Sequence, residues 1–135
     1  MITDNQELEN YLFGIETSLW GAEGNLALFK KYLSNKFLFK NDFDKAYINK
    51  TKYLNAVVSA PKWKKVVLDW HEFHLIAPDL VLLSYKAMAE YEVGGMFVVA
   101  VSTLYILESE RWKILVHHHS FSGASEYVEK LSSYA

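Results

Sequence analysis

Residues 80–121, LVLLSYKAMAEYEVGGMFVVAVSTLYILESERWKILVHHHSF, decide the fold. They divide into three β-rich runs, 80–92, 96–108 and 111–121, set apart by Gly94-Gly95 and Ser109-Glu110. Two-residue separators of this kind predict antiparallel hairpins. A fourth run, 63–76, joins the first through Ala77-Pro78-Asp79. Upstream of it the apolar period is helical. Leu8, Tyr11, Leu12, Ile15 and Leu19 mark a first helix, capped by Thr3 or Asp4 and ended by Gly21 and Gly24. Residues 25–33 read as a second helix and 36–40 as a short strand. A third helix starts at Asn49 or Thr51, runs through Val58 and stops before Pro61. Residues 123–135 have room for a helical turn or more. Helices followed by a meander predict an α+β domain over residues 1–135. Its N-terminal helices should pack on a strongly curved, mainly antiparallel sheet to give a cone.

Composition narrows the function. The net charge is −2 with the two signs interleaved, so no basic stripe points to nucleic acid. The absence of cysteine excludes disulfides, thiolate metal sites and a cysteine nucleophile. The first residues lack the basic start and apolar core of a signal peptide, and no apolar run reaches the ~20 residues of a membrane span. A cytoplasmic protein without a membrane partner is expected. The 4 Trp, 9 Tyr and 8 Phe are many for 135 residues, which implies large aromatic areas in a core, a pocket or an interface.

Register turns the hairpins into faces, because side chains alternate along a strand. With Gly94-Gly95 as a two-residue turn, Val93 pairs with Met96 and Ala87 lies opposite Ser102. With Ser109-Glu110 as the next turn, Ser102 lies opposite His117 and Ala100 opposite His119. One face then carries Tyr85, Ala87, Ala89, Ala100, Ser102, His117 and His119. Its centre is small and its border aromatic or imidazole, so helices resting on the rim leave a cavity. Trp20, at the end of the first helix, is placed to roof it. The expected ligand-binding set is therefore Trp20, Tyr85, Ala87, Ala100, Ser102, His117 and His119. The other face carries Phe97, Val99, Val101, Trp112 and Ile114. It is too apolar to stay exposed, and a homodimer contact is the expected cover.

Two segments look like a known superfamily. Glu16-Thr-Ser-Leu-Trp-Gly-Ala-Glu-Gly-Asn resembles the first helix and helix break of the nuclear-transport-factor-2-like superfamily, and Arg111-Trp-Lys-Ile-Leu-Val-His-His-His-Ser resembles its last strand. The pattern is most similar to the subgroup holding the association domain of calcium/calmodulin-dependent kinase and many SnoaL-like bacterial domains. The resemblance implies the cone fold and leaves the activity open, since the superfamily hosts isomerases, dehydratases, cyclases, adaptors and oligomerisation modules. Its ketosteroid isomerases use a tyrosine, an aspartate base and a protonated aspartic acid. Carried over, these fall near Thr17, Lys40 and Ser102, and none keeps its residue type. The resemblance therefore argues against that reaction here.

The triple histidine cannot converge on one point of a strand. His117 and His119 share a face about 7 Å apart, while His118 points away. In the pocket the first two would line a polar floor, or serve as acid and base near neutral pH. A metal needs a third ligand and closer convergence, so neither metal nor cofactor is expected. The strand 63–76 allows two registers. A two-residue turn directs Trp70, Glu72 and His74 to the helices, and a three-residue turn directs Asp69, His71 and Phe73. The expected function is a homodimeric domain that binds an unidentified small molecule between the helices and the concave sheet face. An isomerase, lyase or cyclase using His117 or His119, and an oligomerisation module, are the alternatives.

Overall fold

The computed structural model describes residues 4–60 and 62–121. Helix α1 (Asn5–Trp20) begins at Asp4, whose carboxylate accepts the backbone N–H groups of Gln6 and Glu7. That cap satisfies two of the four orphan donors and contributes about 1 kcal/mol. The chain turns back through Glu23 and Gly24, both at positive φ, into the short α2 (Leu26–Tyr32). Strand β1 (Leu33–Asn41) follows, then the two-residue β2 (Ile48–Asn49) and α3 (Lys50–Val58), capped by the Asn49 side chain. The long strands are β3 (Trp63–Ala77), β4 (Leu80–Tyr91), β5 (Met96–Glu108) and β6 (Arg111–Ser120). They form one six-stranded sheet in the order β2-β1-β6-β5-β4-β3. Only the β1–β6 pair is parallel; the rest are antiparallel. The three helices pack on one face over a core that includes Leu12, Ile15, Phe29, Phe37, Leu83 and Ile114. This is the expected α+β arrangement. The helical reading of residues 123–135 lies outside the described residues.

The registers correct the expected faces. The β4–β5 turn is not the two-residue Gly94-Gly95 loop. Tyr91 donates its N–H to the Gly95 carbonyl, and Gly94 donates to the Tyr91 carbonyl. The loop is Glu92 to Gly94, with Gly94 and Gly95 both at positive φ, a conformation that costs glycine little. Ala87 therefore pairs with Val99 and Ser84 with Ser102, a slip of three residues from the expected pairing. An odd slip moves every β5 side chain to the other face. The second hairpin turns at Ser109-Glu110 as expected, with Glu108 opposite Arg111. Farther along β6, however, Tyr105 pairs with Ile114 and Leu104 with Val116, so Leu115 is bulged out. That bulge turns His117 and His119 back under the helices, opposite Thr103 and Val101.

Consequently Phe97, Val99, Val101, Trp112 and Ile114 do not form an outer contact surface. They lie on the helix-covered face, where Val99, Val101 and Ile114 are buried and Phe97 and Trp112 pack against the buried clusters. Ala100 and Ser102 are the converse. They pair with Lys86 and Ser84 on the face away from the helices and cannot line a pocket beneath them.

Strand β3 keeps the two-residue Pro78-Asp79 turn, with Ala77 opposite Leu80, but it bulges near both ends and between Asp69 and Glu72. Phe73 and His71 therefore face the helices, while Asp69, Glu72 and His74 pair with Lys86, Ser84 and Leu82 on the outer side. The result mixes the two alternatives. His71 stacks on Phe13 and its Nε2 lies 2.9 Å from a Glu9 carboxylate oxygen of α1, away from the cavity described below.

Candidate functional site

Between the helices and the concave sheet face lies a cavity of about 490 Å³. Small-molecule pockets span roughly 300–1,000 Å³, so this one is of ligand size. Its walls are aromatic: Trp20 from α1, Phe37 and Phe39 from β1, Tyr53 from α3, and Trp63 and Phe97 from the sheet all line it. Leucine, valine and isoleucine side chains fill much of the remaining lining. The described lining residues include no lysine or arginine, and the carboxylates among them are Glu16 and Glu23.

The polar floor is built around Glu16. Its side chain occupies the buried stripe of α1, one turn beyond Leu12, and is only 1% exposed. A carboxylate in such a place needs donors. Thr103 and Tyr85 donate their hydroxyls to Oε1 at 2.7 and 2.8 Å, and Tyr105 donates to Oε2 at 2.6 Å. The Trp20 indole N–H in turn donates to the Tyr85 hydroxyl at 2.8 Å. Burial raises the Glu16 carboxyl above its usual range, and the hydrogen bonds from Tyr105, Thr103 and Tyr85 oppose that rise.

The histidines join this network in a fixed sense. Thr103 has a single proton, which goes to Glu16, so its oxygen accepts from His117 Nδ1 at 2.8 Å. His117 is therefore the Nδ1–H tautomer, and its bare Nε2 accepts from His119 Nε2–H at 2.9 Å. His119 Nδ1 is left as an acceptor, with no partner among the described residues. Its ring lies nearly parallel to that of Trp20, with centroids 5.8 Å apart, and stands edge-on to Phe39. His117 Nδ1 is also 3.9 Å from Glu16 Oε1, within ion-pair distance. Burial nevertheless pushes the His117 imidazole down to about 3, so at neutral pH the ring is neutral and the contact is not an ion pair. Burial, with the neighbouring rings of His117 and His118, holds His119 well below its ordinary value too. Among the described residues no three His, Asp or Glu side chains are grouped to hold a metal ion.

Of the residues expected from sequence, Trp20, Tyr85, His117 and His119 stand on the cavity wall. Ala87 is on the right face but is wholly buried against Tyr85, Val99 and Val101 and does not reach the wall. Ala100 and Ser102 are on the opposite face. Their neighbour Thr103 takes the inward place, as Glu16 does beside Thr17 and Asn41 beside Lys40. The three positions carried over from the isomerases thus each miss the inward residue by one. Glu16 was missed because it was read as part of a helix-end motif. The spacing Leu8, Leu12, Glu16 carried the signal, since the third position of that i, i+4 row is a core position.

No family model matches the chain, and no curated protein matches it in sequence. Solved structures do match its shape. A candidate ketosteroid isomerase of Parabacteroides distasonis aligns with a TM-score of 0.74 over 89% of this chain and 92% of its own, at 13% identity. An NTF2-like protein of Cytophaga hutchinsonii aligns with 0.71 over 87% and 98%, at 15% identity. The chain has the nuclear-transport-factor-2-like fold. A candidate calcium/calmodulin-dependent kinase II association domain of Exiguobacterium sibiricum shares that fold, with a TM-score of 0.67 over 89% of this chain and 95% of its own, at 18% identity. At these identities the nuclear-transport-factor-2-like likeness concerns shape alone, and function has to be argued from the cavity. Among the described residues no helix is long and apolar enough to cross a membrane.

Proposed function

We propose that this chain binds a neutral, largely apolar small molecule in the cavity between its helices and the concave sheet face. The observation that carries the reading is the lining itself: aromatic walls over a hydrogen-bonded polar floor, with carboxylates and no lysine or arginine among the described lining residues. An acidic ligand would find no cation among the described lining residues, because both imidazoles are held neutral. A neutral ligand with one polar group can instead donate to His119 Nδ1 while its apolar body rests on Trp20 and Phe39. A thermal-shift panel of sterols, neutral aromatics and small carboxylic acids tests this. Neutral compounds should raise the melting temperature. The shift should vanish in His117→Ala and persist in His118→Ala, whose ring points to the other face. Binding by the acids alone, or loss in His118→Ala only, would refute the reading.

The same proposal includes a homodimer, now through a different set of side chains. On the face away from the helices, Leu82, Leu104 and Val116 lie side by side in register, next to the half-exposed Leu38. Val67, Met88 and Val98 form a second apolar group there. What supports a subunit contact is this surface, together with the shared fold of kinase association domains. Light scattering tests it, and a monomer at micromolar concentration would remove it.

A further inference from the structure

The chain of groups from His119 to Glu16 has a property that a passive polar floor does not need. Every link is a hydrogen bond of 2.7 to 2.9 Å, and every link can be reversed. In the resting arrangement all donors point toward Glu16: His119 Nε2–H to His117, His117 Nδ1–H to Thr103, Thr103 O–H to the carboxylate. The far end, His119 Nδ1, has no partner among the described residues, and His119 lines the cavity together with His117 and Glu16. We propose that His119 is the catalytic acid–base group of this cavity and that His117 and Thr103 relay its proton to Glu16, which stores it.

The step balances without a charged imidazole at either end state. A bound ligand's X–H bond breaks and its proton forms Nδ1–H on His119. His119 gives its Nε2 proton to His117 Nε2, His117 gives its Nδ1 proton to Thr103, and Thr103 gives its hydroxyl proton to Glu16 Oε1. The negative charge has moved from Glu16 to the ligand, and both rings have exchanged tautomers. Running backwards, the relay returns the proton to a different ligand atom or to a leaving group. The reaction class is therefore proton-transfer isomerisation or elimination on a neutral ligand with an acidic X–H. Burial favours this division of labour, since it disfavours both an imidazolium and a carboxylate in the same pocket. The other titratable groups facing these atoms are Tyr53 on α3, Tyr85 on β4, Tyr105 on β5, Tyr91 and Glu23 at the cavity wall, and His118, whose charge acts on both rings from the same strand. Burial pushes the Tyr53, Tyr85 and Tyr105 phenols upward, so they keep their protons.

The inference rests on the cavity's accepting a ligand, but the relay can be tested without one. In the isotopically labelled full chain, imidazole ¹⁵N and Glu16 carboxyl ¹³C resonances are followed by NMR from pH 8 to pH 4. At pH 8 His117 should be the Nδ1–H tautomer and His119 the Nε2–H tautomer. On acidification both should switch tautomer at the same midpoint at which the Glu16 carboxyl protonates. Thr103→Val should separate the Glu16 and His119 midpoints, and Thr103→Ser should restore their coincidence. An imidazolium on His119 while Glu16 stays ionised, or separate midpoints in the wild type, would overturn the relay. The wild-type titration decides even if the valine variant fails to fold. It also leaves the binding proposal standing or falling on the thermal-shift panel alone.

Discussion

Lowering the pH should destabilise this protein through two histidines that it buries uncharged. In the unfolded chain the His117 imidazole titrates near 6.5, and in the folded chain burial pushes it down to about 3. Between those values the unfolded chain holds a proton that the folded chain refuses. Stability from this group is therefore complete above pH 6.5 and is lost as the pH falls toward 3. At 1.36 kcal/mol per unit of unequal titration, the loss between pH 7 and pH 5 is about 2 kcal/mol for His117. His119, shifted in the same direction by the same cause, adds a loss of the same sign. Glu16 works the other way. Its carboxyl is raised on folding, so its contribution is present below about 4.5 and is lost as the pH rises through the folded value.

The assay is urea unfolding at pH 7 and pH 5 for the wild type and for His117→Asn. Asparagine can still donate to Thr103 but does not titrate. The variant has a lower stability at both pH values, and that offset is not the quantity tested. The pH-dependent loss should shrink by about 2 kcal/mol in the variant, the His117 contribution, and further where the missing ring no longer holds His119 down. If His117→Asn loses as much as the wild type between pH 7 and pH 5, the ring is not buried neutral and the hydrogen-bond assignment fails with it.

Other outcomes follow from the same geometry. Val99→Glu places an unpaired charge at a fully buried site and should cost on the order of 5 kcal/mol, enough to abolish the folded circular-dichroism signal. Leu104→Glu, on the opposite face, should keep the fold and give a monomer by light scattering; a dimeric Leu104→Glu protein would remove that surface as the contact. Trp20→Phe loses the donor to Tyr85 and should lower stability by about 1 kcal/mol while weakening any ligand found in the cavity, read by denaturant midpoint and thermal shift. Ser109 and Glu110 both sit at positive φ in the last hairpin, so Ser109→Asn with Glu110→Gly should raise stability by about 1 kcal/mol in a denaturant melt.

The helices and the four long strands were legible because each follows from local chemistry, whereas the two-residue β2 and the start of β1 at Leu33 were not. The 63–76, 80–92, 96–108 and 111–121 runs differ from the observed strands by a residue at most, since alternation and turn residues mark them directly. What was not legible is how many residues a turn consumes. A Gly-Gly pair can form the whole of a tight loop or only its left-handed end, and here it is the end, with Glu92 and Val93 carried inside or beside it. Bulges are hidden for the same reason: nothing in Val-Ser-Thr-Leu-Tyr or Lys-Ile-Leu-Val-His announces that Leu115 will be extra. The Glu16 cluster depends on both. Tyr85, Thr103 and Tyr105 reach one carboxylate only after β4 and β5 have taken their true register.

These two departures explain why the histidines were placed correctly from a partly inverted sheet. The three-residue slip at the β4–β5 turn exchanges the faces of β5, which removes Ala100 and Ser102 from the cavity side and brings in Val99, Val101 and Thr103. Taken alone, it would also have carried His117 and His119 outward, because they were positioned by pairing with β5. The one-residue bulge at Leu115 exchanges the faces again for the last part of β6 only. Two odd shifts make an even one, so His117 and His119 return to the side of Tyr85, while Trp112 and Ile114, before the bulge, stay with Leu107 and Tyr105. The bulge therefore has a chemical consequence. It lets one strand contribute a core isoleucine at 114 and a hydrogen-bonded imidazole at 117 to the same face, an odd spacing that a regular strand forbids. Without it, Thr103 would meet a side chain other than His117, and Glu16, still held by Tyr85 and Tyr105, would have no hydrogen-bonded path to His119.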